Sequence, residues 1–164
     1  MVANIFERIF ISCLLYRYAF AQNTDIHVYR TDYDEFIIFN KDTETWKGAR
    51  DICREHTANL VSLESQRKLI ALHMFLFAND FLQTTVNKAD RAFIYWSGGN
   101  DLTSPGTFEW EGTGKAFNYT HWLHEQPVHI ESGGCIQFGG GGFGRWSIEN
   151  CDTKRLFVCE RMKD

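Results

Sequence analysis

The fold of this chain is constrained first by its cysteines, of which the sequence holds five. Cys13 lies in an N-terminal segment that we expect to be removed, and the four that remain are Cys53, Cys135, Cys151 and Cys159. An even number of cysteines in an exported chain is typical of a disulfide framework. Four cysteines allow three pairings, and their spacing alone does not choose among them.

The N-terminal segment is predicted to be a secretory signal peptide over residues 1–21. Its apolar stretch runs from Ile9 to Tyr16, and it ends in Ala19-Phe20-Ala21, a small-x-small cleavage site. A short membrane anchor is the alternative, but the apolar run is shorter than the ~18 residues that indicate a membrane span. The signal peptide predicts a secreted, extracellular protein. In an exported chain the sequon Asn118-Tyr119-Thr120 predicts glycosylation of Asn118, so we expect a glycoprotein.

Composition excludes several classes of function. The 164 residues suit one domain with its own core. The net charge of −4, without a cluster of Lys or Arg, argues against a nucleic-acid partner. The sequence contains no apolar run long enough to span a membrane. Ser, His and Asp occur in no catalytic motif, and the cysteines are assigned to disulfides, so we expect no enzymatic activity.

The first half of the chain predicts strands and helices in alternation. Residues 22–35 are polar and without a period, which predicts an N-terminal lead-in segment, whereas the apolar run Phe36–Phe39 predicts a buried strand. Asp42 or Thr43 can cap a first helix, on which three residues recur at helical spacing: Trp46, Ala49 and Cys53. After a short strand in ANLVSL, a second helix has an apolar face made of Leu69, Leu72 and Leu76.

From Ala92 onwards the pattern changes to short aromatic and β-branched strands. They are AFIYWSG, FEWEG, CIQF, RWSI and RLFVCE. Two helices followed by many short strands predict an α+β domain. Between these strands, three histidines match no zinc motif and are expected to be solvent-exposed: His121, His124 and His129.

Several stretches, taken in order along the chain, carry a family resemblance. They are WKGARDIC, ANLVSLES, YWSGGNDLTSPGTFEWEGTG, THWLHEQP and FVCE. Together they resemble the C-type lectin-like domain in its short form, and in the version found in secreted, galactose-type lectins of insects. The resemblance covers residues 36–161. It implies an α+β fold with two helices, short antiparallel strands, a long loop region and two disulfides, Cys53–Cys159 and Cys135–Cys151.

The resemblance also implies where a ligand would bind. In sugar-binding members, one calcium ion is held by the residues on either side of a cis proline, by an acid just after it, and by an Asn-Asp pair after a tryptophan. The proline here is Pro127. It is preceded by Gln126, the galactose-type residue, and followed by Val128, which has no side-chain oxygen. Without calcium, the peptide bond before Pro127 loses its main reason to stay cis.

The other calcium positions are altered as well. Glu131 is an acid slightly displaced from the usual place, and the Asn-Asp pair falls on Ser147 and Ile148. At a second calcium position Asp101 is present, but Pro105 stands where an acid is usual. Calcium takes six to eight oxygens, several of them charged, so we expect no bound metal and no cofactor. The candidate ligands of any residual calcium site are Gln126, Glu131 and Asp101.

Three functions are therefore open at this point. The first is a secreted lectin-like protein that recognises glycans or glycoproteins without the usual calcium, through a loop face made of Gln126, Pro127, Glu131 and Ser147. The second is a calcium-dependent, galactose-binding lectin with substitute ligands. The third is a module without sugar binding, whose loop face meets a protein ligand.

Overall fold

The computed structural model describes residues 26–79, 81, 94–139 and 143–162, and the predicted signal peptide lies outside them. Within these ranges, no helix is long and apolar enough to cross a membrane. The elements in chain order are β1 (Ile26–Arg30), β2 (Asp34–Glu44), α1 (Trp46–Glu55), β3 (Asn59–Leu60), α2 (Gln66–Ala78), β4 (Tyr95–Asn100), β5 (Glu109–Trp110), β6 (Lys115–Ala116), β7 (Cys135–Phe138), β8 (Trp146–Glu149) and β9 (Arg155–Met162).

A single sheet places the two N-terminal strands beside the last strand, with β2 between β1 and β9. Its main order is β1-β2-β9-β4-β5-β6, with β3 added on β9 and the β7–β8 pair added on β4. Strands β4 and β9 pair in parallel, and the other pairs are antiparallel. The predicted α+β fold with two helices is confirmed. So are both implied disulfides, Cys53–Cys159 between α1 and β9, and Cys135–Cys151 across the base of β7 and β8.

The described part of the lead-in contains a strand. Ile26–Arg30 forms β1, antiparallel to β2, with Ile26 opposite Phe39. The ring of Tyr29 stacks on Phe75 of α2 at a centroid distance of 4.2 Å. Tertiary contacts of this kind decide whether a short, mixed segment becomes a strand. The described part of the predicted lead-in therefore holds β1 and the start of β2, with residues 31–33 between them, whereas the limits of the lead-in and of the domain stay a prediction.

Helix α1 begins later than predicted. Asp42 and Thr43 belong to β2, which continues to Glu44, so neither residue caps the helix. The N-cap is Thr45, whose hydroxyl accepts a hydrogen bond from Gly48 N at 3.1 Å. The predicted buried face is confirmed and consists of Trp46, Ala49 and Cys53.

Helix α2 packs its predicted leucine face into the core. The Ser65 hydroxyl caps it by accepting a hydrogen bond from Lys68 N at 3.3 Å. Beside the helix, the core holds Trp110 and Trp146, whose rings meet edge to face at 5.5 Å between centroids. Since Trp146 belongs to β8, this core supports the strand along which the long loop lies. The buried leucines are Leu69, Leu72 and Leu76.

Candidate ligand-binding loop

The long loop, residues 117–134, begins along the edge of β8 that faces away from β7. Trp146 N donates to His121 O at 2.9 Å, and Leu123 N donates to Trp146 O at 2.8 Å. These bonds make an isolated parallel bridge between Trp122 and Trp146. The first part of the loop is therefore held as an added strand would be.

Gln126 continues this edge with its side chain. Its amide oxygen Oε1 accepts a hydrogen bond from Ile148 N at 3.0 Å and a longer one from Val128 N at 3.4 Å. The side chain thus supplies the acceptor that a further strand residue would have offered to β8. The peptide bond between Gln126 and Pro127 is cis, and Pro127 itself is exposed.

The side chain of Ile148 fills the space between β8 and the end of the loop. It is 6% exposed and packs against Gly134. A Cβ atom at Gly134 would lie 2.5 Å from Ile148 Cγ1 and 2.9 Å from Ile130 Cδ1. Hydrocarbon from Ile148 and Ile130 therefore occupies this volume, and glycine is needed at position 134 to admit it.

Asp101 is a buried anchor for two loops. It is 2% exposed. Its Oδ1 accepts a hydrogen bond from Gly134 N at 2.6 Å, and its Oδ2 accepts one from Gly106 N at 2.6 Å. Asp101 N also donates to Gly134 O at 3.1 Å. Both carboxylate oxygens are thus used to hold backbone amides, one within the loop between β4 and β5 and one at the end of the long loop.

The remaining predicted site residues do not converge. Side chains alternate along a strand, so Ser147 points to the opposite face of β8 from Ile148, where its hydroxyl accepts a hydrogen bond from Gln137 Nε2 at 3.0 Å. Glu131 and Val128 are exposed on the loop. The exposed face of the long loop includes charged, polar and apolar side chains: His124, Glu125, Pro127, Val128, His129, Glu131 and Ser132.

One loop histidine is not exposed as predicted. His121 is half-buried, and its Nε2 lies 3.1 Å from Phe143 O. Burial and then the positive charge of Arg145 lower the pKa of His121, against the opposing effect of the Phe143 carbonyl. Burial and then repulsion from His121 lower the pKa of His73 on α2. His73 and His121 are far apart in the sequence and share no local motif, so sequence patterns could not predict that they interact.

In the part of the chain that the structure describes, no group of three or more His, Cys, Asp or Glu side chains is arranged to hold a metal ion.

Comparison with known proteins places this geometry in a family context. The sequence matches the profile of the Lectin C-type domain over residues 42–161. Salivary C-type lectin 2 of Aedes albopictus is 27% identical over 145 residues, which cover 82% of this chain and 88% of the relative. Lectin subunit alpha of Sarcophaga peregrina is 28% identical over 138 residues, which cover 79% of this chain and 45% of that protein.

Solved structures share the fold at lower identity. The mouse scavenger receptor C-type lectin carbohydrate-recognition domain aligns with a TM-score of 0.67 and 20% identity, over 84% of this chain and 97% of that one. A calcium-independent type II antifreeze protein aligns with a TM-score of 0.67 and 18% identity, over 86% and 98%. A Ca²⁺-dependent type II antifreeze protein gives 0.64 and 21%, over 85% and 99%. The fold is thus common to proteins with and without calcium dependence.

Proposed function

This chain belongs to the C-type lectin family, and we propose that it recognises glycans or glycoproteins through the exposed face of the long loop, without calcium at the family's usual position. The family consists of non-enzymatic carbohydrate-binding proteins, so the expectation that the chain is not an enzyme is confirmed. We also propose that the chain is secreted, with residues 1–21 removed and a glycan on Asn118, which is exposed.

The observation that carries this proposal is the hydrogen bond from Ile148 N to Gln126 Oε1 at 3.0 Å. The oxygen that would ligate calcium already accepts a backbone N–H, and the residue that would supply a carboxylate is the buried hydrocarbon of Ile148. Val128 adds no oxygen, and the hydroxyl of Ser147 lies on the other face of β8. This donor set does not fit an ion that takes six to eight oxygens.

The exposed loop face has the chemistry of a sugar-binding surface. A sugar ring presents apolar C–H faces and hydroxyl edges, and the long loop exposes the apolar side chains of Pro127 and Val128 and the carboxylate of Glu131. Carboxylate oxygens accept hydrogen bonds from hydroxyl groups. Gln126 and Asp101 each accept a hydrogen bond from a backbone amide, which supports the proposal that this face keeps its position without a metal ion.

The proposal is tested by binding of the purified, disulfide-bonded protein to a glycan array, in calcium and in EDTA, with galactose-terminated glycans included. We expect retention that EDTA leaves unchanged. We expect Val128→Asp and Glu131→Ala to weaken it at least several-fold. The exposed Lys47 on α1 gives the matched control Lys47→Ala, which should bind normally.

The other outcomes select the alternative functions. Galactose binding that EDTA abolishes would establish a calcium-dependent lectin with substitute ligands and overturn the proposal. Absence of retention on every glycan in both buffers would also overturn it and would favour the protein-binding module.

A further inference from the structure

Helix α2 is apolar on its outer face as well as on its inner one. Beside the buried leucines, Ile70, Met74 and Phe77 are 50%, 56% and 61% exposed. Their spacing of four and then three residues places them on one side of the helix. A helix that is hydrophobic all round is normally covered on all sides. We therefore expect another surface to cover this face of the helix.

The two ends of this face differ in charge. Arg67 precedes Ile70 by three residues and continues the same line, with its side chain 60% exposed. At the other end, Phe77 lies in the last turn of α2, which contains no basic residue. The C-terminal end of a helix carries a partial negative charge that a nearby cation stabilises. We name these four residues the α2 stripe: Arg67, Ile70, Met74 and Phe77.

The stripe is self-complementary when one copy is reversed. Its steps of three, four and three residues are those of the a and d positions of a coiled coil. In an antiparallel pair, Ile70 would face the partner's Met74, and Arg67 would lie over the ring of the partner's Phe77, beside a helix end whose last turn contains no basic residue. Within its own chain Arg67 lies 4.6 Å from the centroid of the Tyr33 ring and 3.7 Å from Asp34 Oδ2, so its guanidinium would exchange or share these contacts in the pair.

We propose that the α2 stripe is covered by the α2 helix of a second copy, in a two-fold symmetric homodimer. An isologous contact requires one surface that matches itself, and the stripe meets that requirement through its opposite ends. Four side chains per copy make a small contact, at or below the ~1,200 Å² that separates weak from stable interfaces. We therefore expect a reversible dimer whose dissociation constant is micromolar or higher.

A dimer would carry two long loops. Two loops on one assembly would bind a surface with many glycans more tightly than one loop does, because the second contact is intramolecular. This consequence rests on the proposed glycan recognition, whereas dimer formation does not.

The test is sedimentation velocity of the disulfide-bonded chain from about 1 to 300 µM, a span chosen for the weak association typical of small interfaces. We expect the sedimentation coefficient to rise towards that of a dimer with concentration. Met74→Glu places like charges in the middle of the contact and should give a monomer throughout. Phe77→Ser and Arg67→Glu should each raise the dissociation constant at least several-fold.

Val28→Glu is the matched control, because Val28 is an exposed apolar residue on β1, outside the stripe. It should dimerise as the unchanged chain does, and far-ultraviolet circular dichroism should show all variants folded. A monomer at every concentration would overturn the proposal. So would a dimer that Met74→Glu and Phe77→Ser leave intact. Neither result bears on glycan binding by a single copy, which the array measures separately.

Discussion

Gln126→Ala would leave the backbone N–H of Ile148 without its acceptor at 3.0 Å. We expect this change to lower the free energy of unfolding by about 1–3 kcal/mol, the cost of a buried donor left unpaired. Gln126→Glu keeps an oxygen at the same place and should lose less. The measurement is denaturant unfolding followed by tryptophan fluorescence.

His124→Ala is the control for this prediction, because the His124 side chain is 91% exposed in the same loop. We expect its unfolding midpoint to match that of the unchanged protein. A Gln126→Ala variant as stable as His124→Ala would show that the Ile148 N–H finds water instead. The loop would then need another explanation for its position.

The sequence located Gln126 and Asp101 but not what they do. Both are oxygen-bearing side chains at positions that the family resemblance assigns to calcium. Their partners here are backbone amides at Ile148, Gly106 and Gly134. Which donor reaches a given oxygen depends on strand register and loop path, and neither is encoded in local spacing.

At the scale of elements, α2 and β9 are joined by a buried ion pair between Lys68 and Glu160. Ser62 N donates to Glu160 Oε1 at 2.9 Å. Burial raises the pKa of Glu160 above its ordinary value of 4.5, although Lys68 and Ser62 act in the opposite direction. The folded state therefore binds a proton more readily than the unfolded state does, and stability falls as the pH rises above 4.5 towards the raised value.

We expect Lys68→Met to reduce stability by about 3–5 kcal/mol at pH 7, because it leaves a buried carboxylate without its cation. The loss should be smaller at pH 4, because the raised pKa of Glu160 favours the protonated, uncharged carboxyl as the pH falls below the ordinary value of 4.5. Adding Glu160→Gln should restore most of the stability at pH 7, since the amide oxygen still accepts from Ser62 N. Thermal unfolding at both pH values checks this. An equal loss at pH 4 and pH 7 would contradict the role assigned to the charge.

A second pH effect is expected where α2 meets the residues before β8. His73 and His121 have lowered pKa values, mainly through burial, with Arg145 adding to the effect on His121. The unfolded chain therefore binds protons first, and stability present above the ordinary histidine pKa of 6.5 is lost as the pH falls below it. His73→Gln with His121→Gln should flatten this decline between pH 7 and pH 5. An unchanged slope in the double variant would assign the decline to other groups.

The elements that sequence predicted well are those with a strong period or a buried apolar run. Helix α2 was located by its leucines, and β2 and β9 by their apolar cores. The two strands that were not predicted, β1 and β6, have weak local signals. Strand β1 depends on the stacking of Tyr29 on Phe75. Strand β6 was not predicted, because it has only two residues, both exposed, and pairs with β5 alone.

At the scale of the whole molecule, the family resemblance supplied what spacing could not. Four cysteines left three pairings open, and the order of motifs along the chain selected the pair of disulfides that the structure contains. The same resemblance could not say how the eroded calcium region is filled. That depends on the packing of Ile148 and Ile130 around Gly134, a contact between β8 and the end of the long loop.

The two disulfides should differ in what they contribute to stability. Cys53–Cys159 joins residues 106 apart and links α1 to the last strand, whereas Cys135–Cys151 joins residues 16 apart. Loop-closure entropy grows with the length of chain enclosed, so removing the first should cost about 4–5 kcal/mol and removing the second about 3. Two double variants test this: one combines Cys53→Ala with Cys159→Ala, and the other combines Cys135→Ala with Cys151→Ala.

Guanidinium unfolding of the two double variants measures this difference directly. We expect the first to have the lower free energy of unfolding, although both lose one covalent bond. The Cys135→Ala, Cys151→Ala variant should weaken glycan binding more than the other variant does. Cys135 follows Gly134 at the end of the long loop, and Cys151 lies just after β8. The reverse order of stabilities would mean that the unfolded chain is already compact around Cys53 and Cys159, since residual structure removes the entropy that a cross-link would otherwise restrict.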